Sequence, residues 1–291
     1  MGRGYCRSSG LAHGEGGRLI PLGVRTLLSA MAVLPPRLYF RQLLAGEHVA
    51  ATPKRQEEGV VFHIARQMVN FMYVVGDAVT KQCVVVDACW DVDGVVRAAQ
   101  KDGMEVQKAV ATHFHWDHIG GKLPEKLGVP IPGLSIPGFK ELHANYQLPL
   151  YLHASEHAAA AAQTGAPASA FHDLADGTRL AISENVALRV IHTPGHSKGG
   201  CCLVVEVDSV PALCLSGDTV FPGSCGRLDL PESDRGDMYG SLQRLRAQLQ
   251  PDSLEIYPGH AYGGEKSTVG REKANGLLKE MSRDMWDAMH G

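Results

Sequence analysis

Short, nearly continuous apolar runs separated by turn formers give the chain its pattern. Val60 to Ile64, Phe71 to Val75 and Cys83 to Ala88 are rich in β-branched and aromatic residues and are divided by polar residues and by Gly76-Asp77. They predict an antiparallel set of strands. Asp91 is placed to cap a helix that carries Val92, Val95, Val96 and Ala99 on one face to about Lys101, where Asp102-Gly103 ends it. Val106 to Thr112 predicts the next strand and Lys122 to Gly128 fits a helix. Pro130 to Pro149 reads as a Pro/Gly-rich loop framing a site, Pro149 to His153 as a short strand and Ser155 to Thr164 as an alanine-rich helix. The second half repeats this grammar. Arg179 to Ile182, Val186 to His192, Cys201 to Val207, Ala212 to Ser216 and Leu254 to Tyr257 predict strands. Met238, Leu242, Leu245 and Leu249 fall at helical spacing between Asp237 and Gln250, a stripe that packs on a sheet.

Candidate chemistry sits where these runs stop. Thr112-His113-Phe114-His115-Trp116-Asp117-His118 places four ligand-type residues just past an apolar strand. Period-2 alternation sends His113 and His115 to one side, a spacing that lets two imidazoles grip one cation. Asp117 and His118 follow next to the turn signal Gly120-Gly121 and are expected on a loop. Two such pairs at one strand end suggest two metals. His196, Asp218 and His260 also lie just beyond apolar strands. Each alone reads as a turn residue, but together they repeat the logic of the first cluster at successive strand ends.

Composition narrows the possibilities. A length of 291 residues with 44% hydrophobic content allows one large or two small globular domains. A net charge of -3, with no basic stripe interleaved with aromatics, argues against a nucleic-acid partner. No apolar run reaches membrane-spanning length. The seven cysteines include no CxxC pair, which supplies no cysteine metal motif and points to reduced thiols and an intracellular compartment. Residues 1–36 differ from the rest. Arg3, Arg7, Arg18 and Arg25 are opposed by Glu15 alone, a profile that fits a mitochondrial or plastid transit peptide. The same profile fits an unstructured extension, or a segment upstream of a start at Met31. Pro35-Pro36 marks the boundary, and 37–291 is expected to be a single domain; without targeting, a cytoplasmic location is expected.

His113-x-His115-x-Asp117-His118, followed by His196, Asp218 and His260 in this order, resembles the metallo-β-lactamase-fold superfamily from about Tyr39 to Asn275. The resemblance implies an α/β fold, a four-layer αβ/βα sandwich of two mixed sheets with helices outside and metals at one edge. It further implies that His113, His115 and His196 hold a first metal, that Asp117, His118 and His260 hold a second, and that Asp218 bridges them. Asp87, ending Val84-Val85-Val86, matches an early strand-end aspartate that supports a ligand histidine rather than binding metal. Imidazole and carboxylate suit zinc, and two zinc ions about 3.5–4 Å apart can share a hydroxide and clamp an attacked carbonyl. In that scheme Asp117 and Asp218 are the catalytic carboxylates, Asp117 also orienting the nucleophile.

Within the superfamily, Thr193-Pro194-Gly195-His196, Ser216-Gly217-Asp218-Thr219 and Cys225-Gly226-Arg227 look like the glyoxalase II branch. That implies hydrolysis of a small thioester or ester, a glutathione-linked one being a candidate. The branch adds a long helical C-terminal domain, whereas 31 residues, 261–291, follow His260 here. Cys225-Gly226-Arg227-x-Asp229 and Tyr257-Pro258-Gly259-His260-x-Tyr262 are also similar to persulfide dioxygenases. The alternative they imply is one iron (Fe2+) on His113, His196 and Asp218, acting on glutathione persulfide. The Pro130 to Pro149 insertion departs from that group and favours the hydrolase. Arg227 is a candidate for binding a substrate anion, or a surface partner of Asp229. Cys225 reads as a small buried thiol, and His143, His153, His157, His172 and His192 as packing, cap or surface residues. Tyr146, Tyr262 and Lys266 are candidates to line the pocket.

Overall fold

The computed structural model describes residues 34–127 and 133–290. All but the last three positions of the 1–36 extension, Gly128 of the expected Lys122 to Gly128 helix and residues 130–132 of the expected loop over the site lie outside that range. The first half runs β1 (Leu38–Leu44), α1 (Gln56–Met68), β2 (Phe71–Asp77), β3 (Gln82–Val86), α2 (Val92–Lys101) and β4 (Glu105–Val110). It continues with α3 (Trp116–Ile119), β5 (Gly121–Lys122), β6 (Ser135–Ile136), α4 (Phe139–Tyr146), β7 (Leu150–Leu152), α5 (His157–Thr164) and β8 (Phe171–Asp173). The second half comprises β9 (Arg179–Ala181), β10 (Val186–His192), β11 (Cys201–Val207), β12 (Val210–Gly217) and α6 (Arg235–Gln248). It ends with β13 (Glu255–Pro258), β14 (Ser267–Thr268), α7 (Val269–Asn275) and α8 (Arg283–His290).

Two six-stranded sheets result, ordered β1-β2-β3-β4-β7-β8 and β14-β13-β12-β11-β10-β9. Alternation along the strands makes three apolar layers of them. In β3, Val84 and Val86 face the second sheet, while Cys83 and Val85 face the helices. In β11, Cys201, Leu203 and Val205 point between the sheets, while Cys202 and Val204 meet α6 and Trp286 of α8. Strands buried on both faces have no polar side to show, and this explains the continuous apolar runs. The outer layers are closed by α1, α2 and α4 on one side and by α6 with Met238, Leu242 and Leu245 on the other. This is the four-layer αβ/βα sandwich.

Several local expectations need correction. Val60 to Ile64 belongs to α1, not to a strand. Val61, Phe62, Ile64 and Ala65 are buried while His63 and Arg66 are exposed, a 3.6-residue stripe, and the outer strand is β1 instead. Lys122 ends β5, and Glu125–Leu127 is a single 3-10 turn rather than part of a helix. The presumed loop from Pro130 to Pro149 contains β6 and α4, the latter burying Phe139 and Leu142. Asp117 and His118 lie on the one-turn helix α3, not on a loop.

Connectivity places the chemistry on one rim. β3 and β4 are parallel, as are β12 and β13, and β10 runs with β12 because the antiparallel β11 lies between them. Asp87, His113, His196, Asp218 and His260 each follow the carboxyl end of one of these strands. Backbone hydrogen bonds tie the halves together at this rim. Cys201 N donates to Thr112 O (2.9 Å), Phe71 N to Gly259 O (2.8 Å) and Ala261 N to Val69 O (3.0 Å).

Candidate metal centre

Five histidines converge on the rim, and each is held from behind. The His196 Nδ1 donates to the Arg227 carbonyl (2.9 Å) and the His260 Nδ1 to the Met68 carbonyl (2.7 Å). The His115 Nε2 donates to Glu232 (2.6 Å) and the His118 Nδ1 to Asp87 (3.1 Å). His113 Nδ1 meets the Thr112 hydroxyl (3.1 Å), whose own proton goes to Asp87. Carbonyls and carboxylates only accept, so these contacts fix the tautomers and turn the opposite nitrogens inward.

The inward atoms form two clusters. In the first, His115 Nδ1 lies 3.0 Å from His113 Nε2 and 2.9 Å from His196 Nε2. Burial, and then the neighbouring imidazoles, push His113 well below its ordinary pKa; burial also lowers His196 against the pull of Asp218. With His113 and His196 donating outward, their inner lone pairs and the inner His115 nitrogen converge on one point, an arrangement that suits a cation. In the second, His118 Nε2 and His260 Nε2 stand 3.3 Å apart, and Asp117 Oδ2 is 3.4 Å from His260. Asp218 lies between the clusters, 3.5 Å from each of His118, His196 and His260. Its Oδ1 is buried and takes no hydrogen bond, which is costly for a carboxylate oxygen unless a cation meets it. Burial alone would raise Asp117 and Asp218, but His260 and His118 hold both below the ordinary carboxylate range. Those carboxylates outweigh burial in turn and raise His118 and His260. The second cluster therefore draws in positive charge, as protons or as a metal that competes with them. His113-His115-His196, His113-His118-Asp218 and Asp117-His118-His260 each offer ligand atoms within 4.8 Å of one another. The donor set fits two metal ions.

Close backbone approach makes room for these side chains. A Cβ on Gly259 would collide with Asp218 Oδ1 and lie 2.8 Å from His118 Cε1, so only glycine fits beside the carboxylate. Gly226 passes the His196 ring equally closely, a Cβ there falling 2.7 Å from Nδ1.

Asp87 supports rather than reaches the inner atoms. It accepts from Thr112 N (2.7 Å) and Thr112 Oγ1 (2.8 Å) as well as from His118. Arg227 points to solvent in a two-pronged ion pair with Asp229 (2.7 and 2.9 Å), the surface-partner alternative for this residue. The Cys225 thiol is only partly exposed and is pushed up to about 11 by burial and by Asp218, so it stays protonated at neutral pH. Tyr262 stacks on the His260 ring at 4.6 Å and Phe221 meets His260 edge-on, giving the second cluster an aromatic wall. Lys266 instead pairs with Glu255, and Tyr146 donates to Asp93 on the helical side of the first sheet. His143 and His157 bind backbone carbonyls, and His153 stacks on His192. Sequence reasoning missed Glu232, an acid in a loop without periodic signal, and Asn70. Asn70 Nδ2 donates to Asp117 (3.4 Å), its orientation set by Trp90 Nε1 donating to Asn70 Oδ1 (3.2 Å).

Among the described residues, no helix is long and apolar enough to cross a membrane. Comparison with known proteins gives the same picture as the fold. The family described as "Metallo-beta-lactamase superfamily" matches residues 65–260. A probable polyketide biosynthesis zinc-dependent hydrolase, BaeB, of Bacillus velezensis is 27% identical over 72% of this chain and 79% of its own length. A cytoplasmic hydroxyacylglutathione hydrolase of Arabidopsis thaliana is 26% identical over 69% of this chain and 67% of its own. The crystal structure of ETHE1 from Myxococcus xanthus superposes with a TM-score of 0.62 at 19% identity, over 87% of this chain and 90% of that one, a likeness of fold. With its sandwich, its rim of histidines and aspartates, and a family match spanning both halves, the chain belongs to the metallo-β-lactamase superfamily.

Proposed function

We propose that this protein is a dinuclear metal-dependent hydrolase of a small thioester or ester. The carrying observation is the pair of clusters, with three inward-facing imidazoles in the first, two in the second beside Asp117, and a buried Asp218 oxygen between them that no hydrogen bond satisfies. Zinc suits a set of imidazoles and carboxylates, and the zinc-dependent hydrolase relative agrees with that preference. The relative named for hydroxyacylglutathione, itself a thioester, supports the substrate class.

When bound, two such ions lower the pKa of water and polarise an attacked carbonyl. The chain's own contribution is placement and charge. Asp117 and Asp218 stay ionised among the histidines, so both carboxylates can accept hydrogen bonds from a nucleophile and orient it. Asn70 fixes Asp117 from behind, and Asp87 and Glu232 fix the rings that would otherwise rotate. Tyr262, stacked on His260 and backed by the buried Phe221, offers an apolar face beside the second cluster for the substrate's acyl or thiol portion.

Replacing Asp218 by alanine is the test. The expected result is loss of metal and a fall in thioester turnover of more than roughly a hundred-fold, since direct ligands matter at least as much as their supports. A variant with unchanged metal content and turnover would leave a non-catalytic binding protein as the better reading.

A further inference from the structure

The loop after β12 touches three of the candidate ligands. Gly226 N donates to the Asp218 carbonyl (2.8 Å), and inside the loop so closed Phe221 N donates to Ser224 O (2.7 Å) and Ser224 N to Phe221 O (3.1 Å). Asp218 opens this loop, the Phe221 ring meets His260 edge-on, and the Gly226 backbone passes the His196 ring. The next residue, Arg227, supplies the carbonyl that accepts from the His196 Nδ1. The tip of the loop is exposed at Gly223 and Ser224. Where the loop sits therefore bears on all three side chains.

A carboxylate that the proposed chemistry does not use holds that tip. Glu272 of α7 is fully buried, 0% exposed, and its Oε2 accepts from Gly223 N at 3.1 Å, 49 positions away. Its Oε1 accepts from the Ser267 hydroxyl. The Thr268 hydroxyl caps α7 by accepting from Arg271 N (3.2 Å), which fixes the first turn of the helix that carries Glu272. Backbone packs closely on both partners. A Cβ on Gly276 would lie 2.6 Å from Glu272 Cδ, and one on Gly263 would lie 2.6 Å from the Pro222 carbonyl. Each carboxylate oxygen has its own donor, so a shortened side chain strands the Gly223 amide and frees the tip.

We propose that Glu272 is a positioning residue for the metal rim: its reach to Gly223 N fixes the 218–226 loop, and through it the Arg227 carbonyl behind His196 and the Phe221 ring behind Tyr262 and His260. Reach, rather than charge, is what this role needs. Glutamine keeps an oxygen for Gly223 N and can donate its amide to Ser267 Oγ, whereas aspartate keeps the charge but is one methylene short. The proposal rests on the proposed function only in taking His196, Asp218 and His260 as ligands.

The test compares wild type with Glu272→Asp, Glu272→Gln and Lys273→Ala, the last removing the bonds of α7 to Leu249 O and Asp252 without touching Glu272. Two quantities are measured on metal-free full-length protein: the rate at which trypsin cuts after the exposed Arg227, and the affinity for Co2+ followed by ligand-field absorption. For Glu272→Asp the expected result is a cut roughly ten-fold faster, because the loop opens more often, and one Co2+ equivalent bound roughly ten-fold more weakly. Glu272→Gln and Lys273→Ala should stay close to wild type in both. Wild-type cutting in Glu272→Asp, or a fast cut with native Co2+ affinity, would overturn the proposal. So would losses in Glu272→Gln or Lys273→Ala equal to those of Glu272→Asp. Should the aspartate variant fail to fold, Ser267→Ala removes one hydroxyl from the same carboxylate and should also quicken the cut; a wild-type rate there would overturn the proposal. Thioester turnover of the zinc-loaded wild type judges the proposed function separately, because neither measurement depends on it.

Discussion

Replacing Asp87 by asparagine separates what this carboxylate does for the fold from what it does for the metals. Asp87 is buried, adopts φ 52° and accepts three hydrogen bonds, two from Thr112 and one from the His118 Nδ1. Asparagine tolerates the left-handed backbone and keeps an oxygen for the Thr112 amide. Its amide nitrogen then faces the His118 Nδ1, and two donors cannot bond. The ring resolves the conflict by moving its proton to Nε2, which lets Nδ1 accept but removes the lone pair aimed at Asp218 and His260. The stability loss is therefore small, about 1 kcal/mol, while the metal affinity of the second cluster falls roughly ten- to hundred-fold. Alanine does both kinds of damage. It strands the Thr112 amide and the His118 Nδ1–H, at about 1–3 kcal/mol each, and adds about 1 kcal/mol for a left-handed non-glycine residue. Urea denaturation of the metal-free variants and chelator competition for metal measure the two quantities. An asparagine variant that binds both equivalents with native affinity would refute the assignment of Asp87 as the residue that sets the His118 tautomer.

Other outcomes follow from the same contacts. Asp77 is buried and accepts from Arg37 (2.9 Å), Ser183 (2.7 Å) and Val79 N (2.8 Å); burial would raise its pKa, but these bonds hold it below the ordinary value. A depressed native pKa gives stability that is present above the unfolded pKa of about 3.9 and lost as pH falls through the native one. Acid denaturation of Asp77→Asn should accordingly be flatter below pH of about 4 than that of wild type, and identical slopes would contradict this. Gly259→Ala pushes a methyl into Asp218 Oδ1 and should reduce bound metal with little change in far-UV circular dichroism; full metal content would show that the rim yields. Arg227→Ala breaks an exposed ion pair and should change stability by less than about 1 kcal/mol. If Arg227 also meets substrate anions, KM rises for anionic thioesters relative to neutral ones, and an unchanged KM ratio removes that role.

The candidate ligands were legible because the physics that buries strands exposes their ends. Val84 to Val86, Val186 to Ile191, Leu213 to Leu215 and Ile256 to Tyr257 lie mostly in apolar layers, so the ligand-type residues Asp87, His196, Asp218 and His260 stand out within a few positions of their ends. Period-2 spacing also placed His113 with His115, whose inner nitrogens meet at 3.0 Å. Short apolar runs were ambiguous in the other direction. Val60 to Ile64 satisfies a strand by composition, and only the neighbouring Ala65 and exposed His63 and Arg66 show the helical stripe. Proline and glycine around Pro130 to Gly138 masked α4, although Phe139, Leu142 and Tyr146 follow helical spacing. Glu232 could not be found from spacing. It acts at long range, 117 positions from His115, and an isolated acid in a turn looks the same whether or not it ends behind a histidine.

The central claim is that two metals serve one hydrolytic site. Metal analysis of protein purified without added metal, made on the same sample as a panel of thioester hydrolysis and persulfide-dependent oxygen uptake, tests it most directly. The account predicts close to two zinc ions per chain and thioester cleavage that is lost on chelation and regained with zinc. One iron per chain, with oxygen uptake driven by glutathione persulfide and no thioester cleavage, would contradict it.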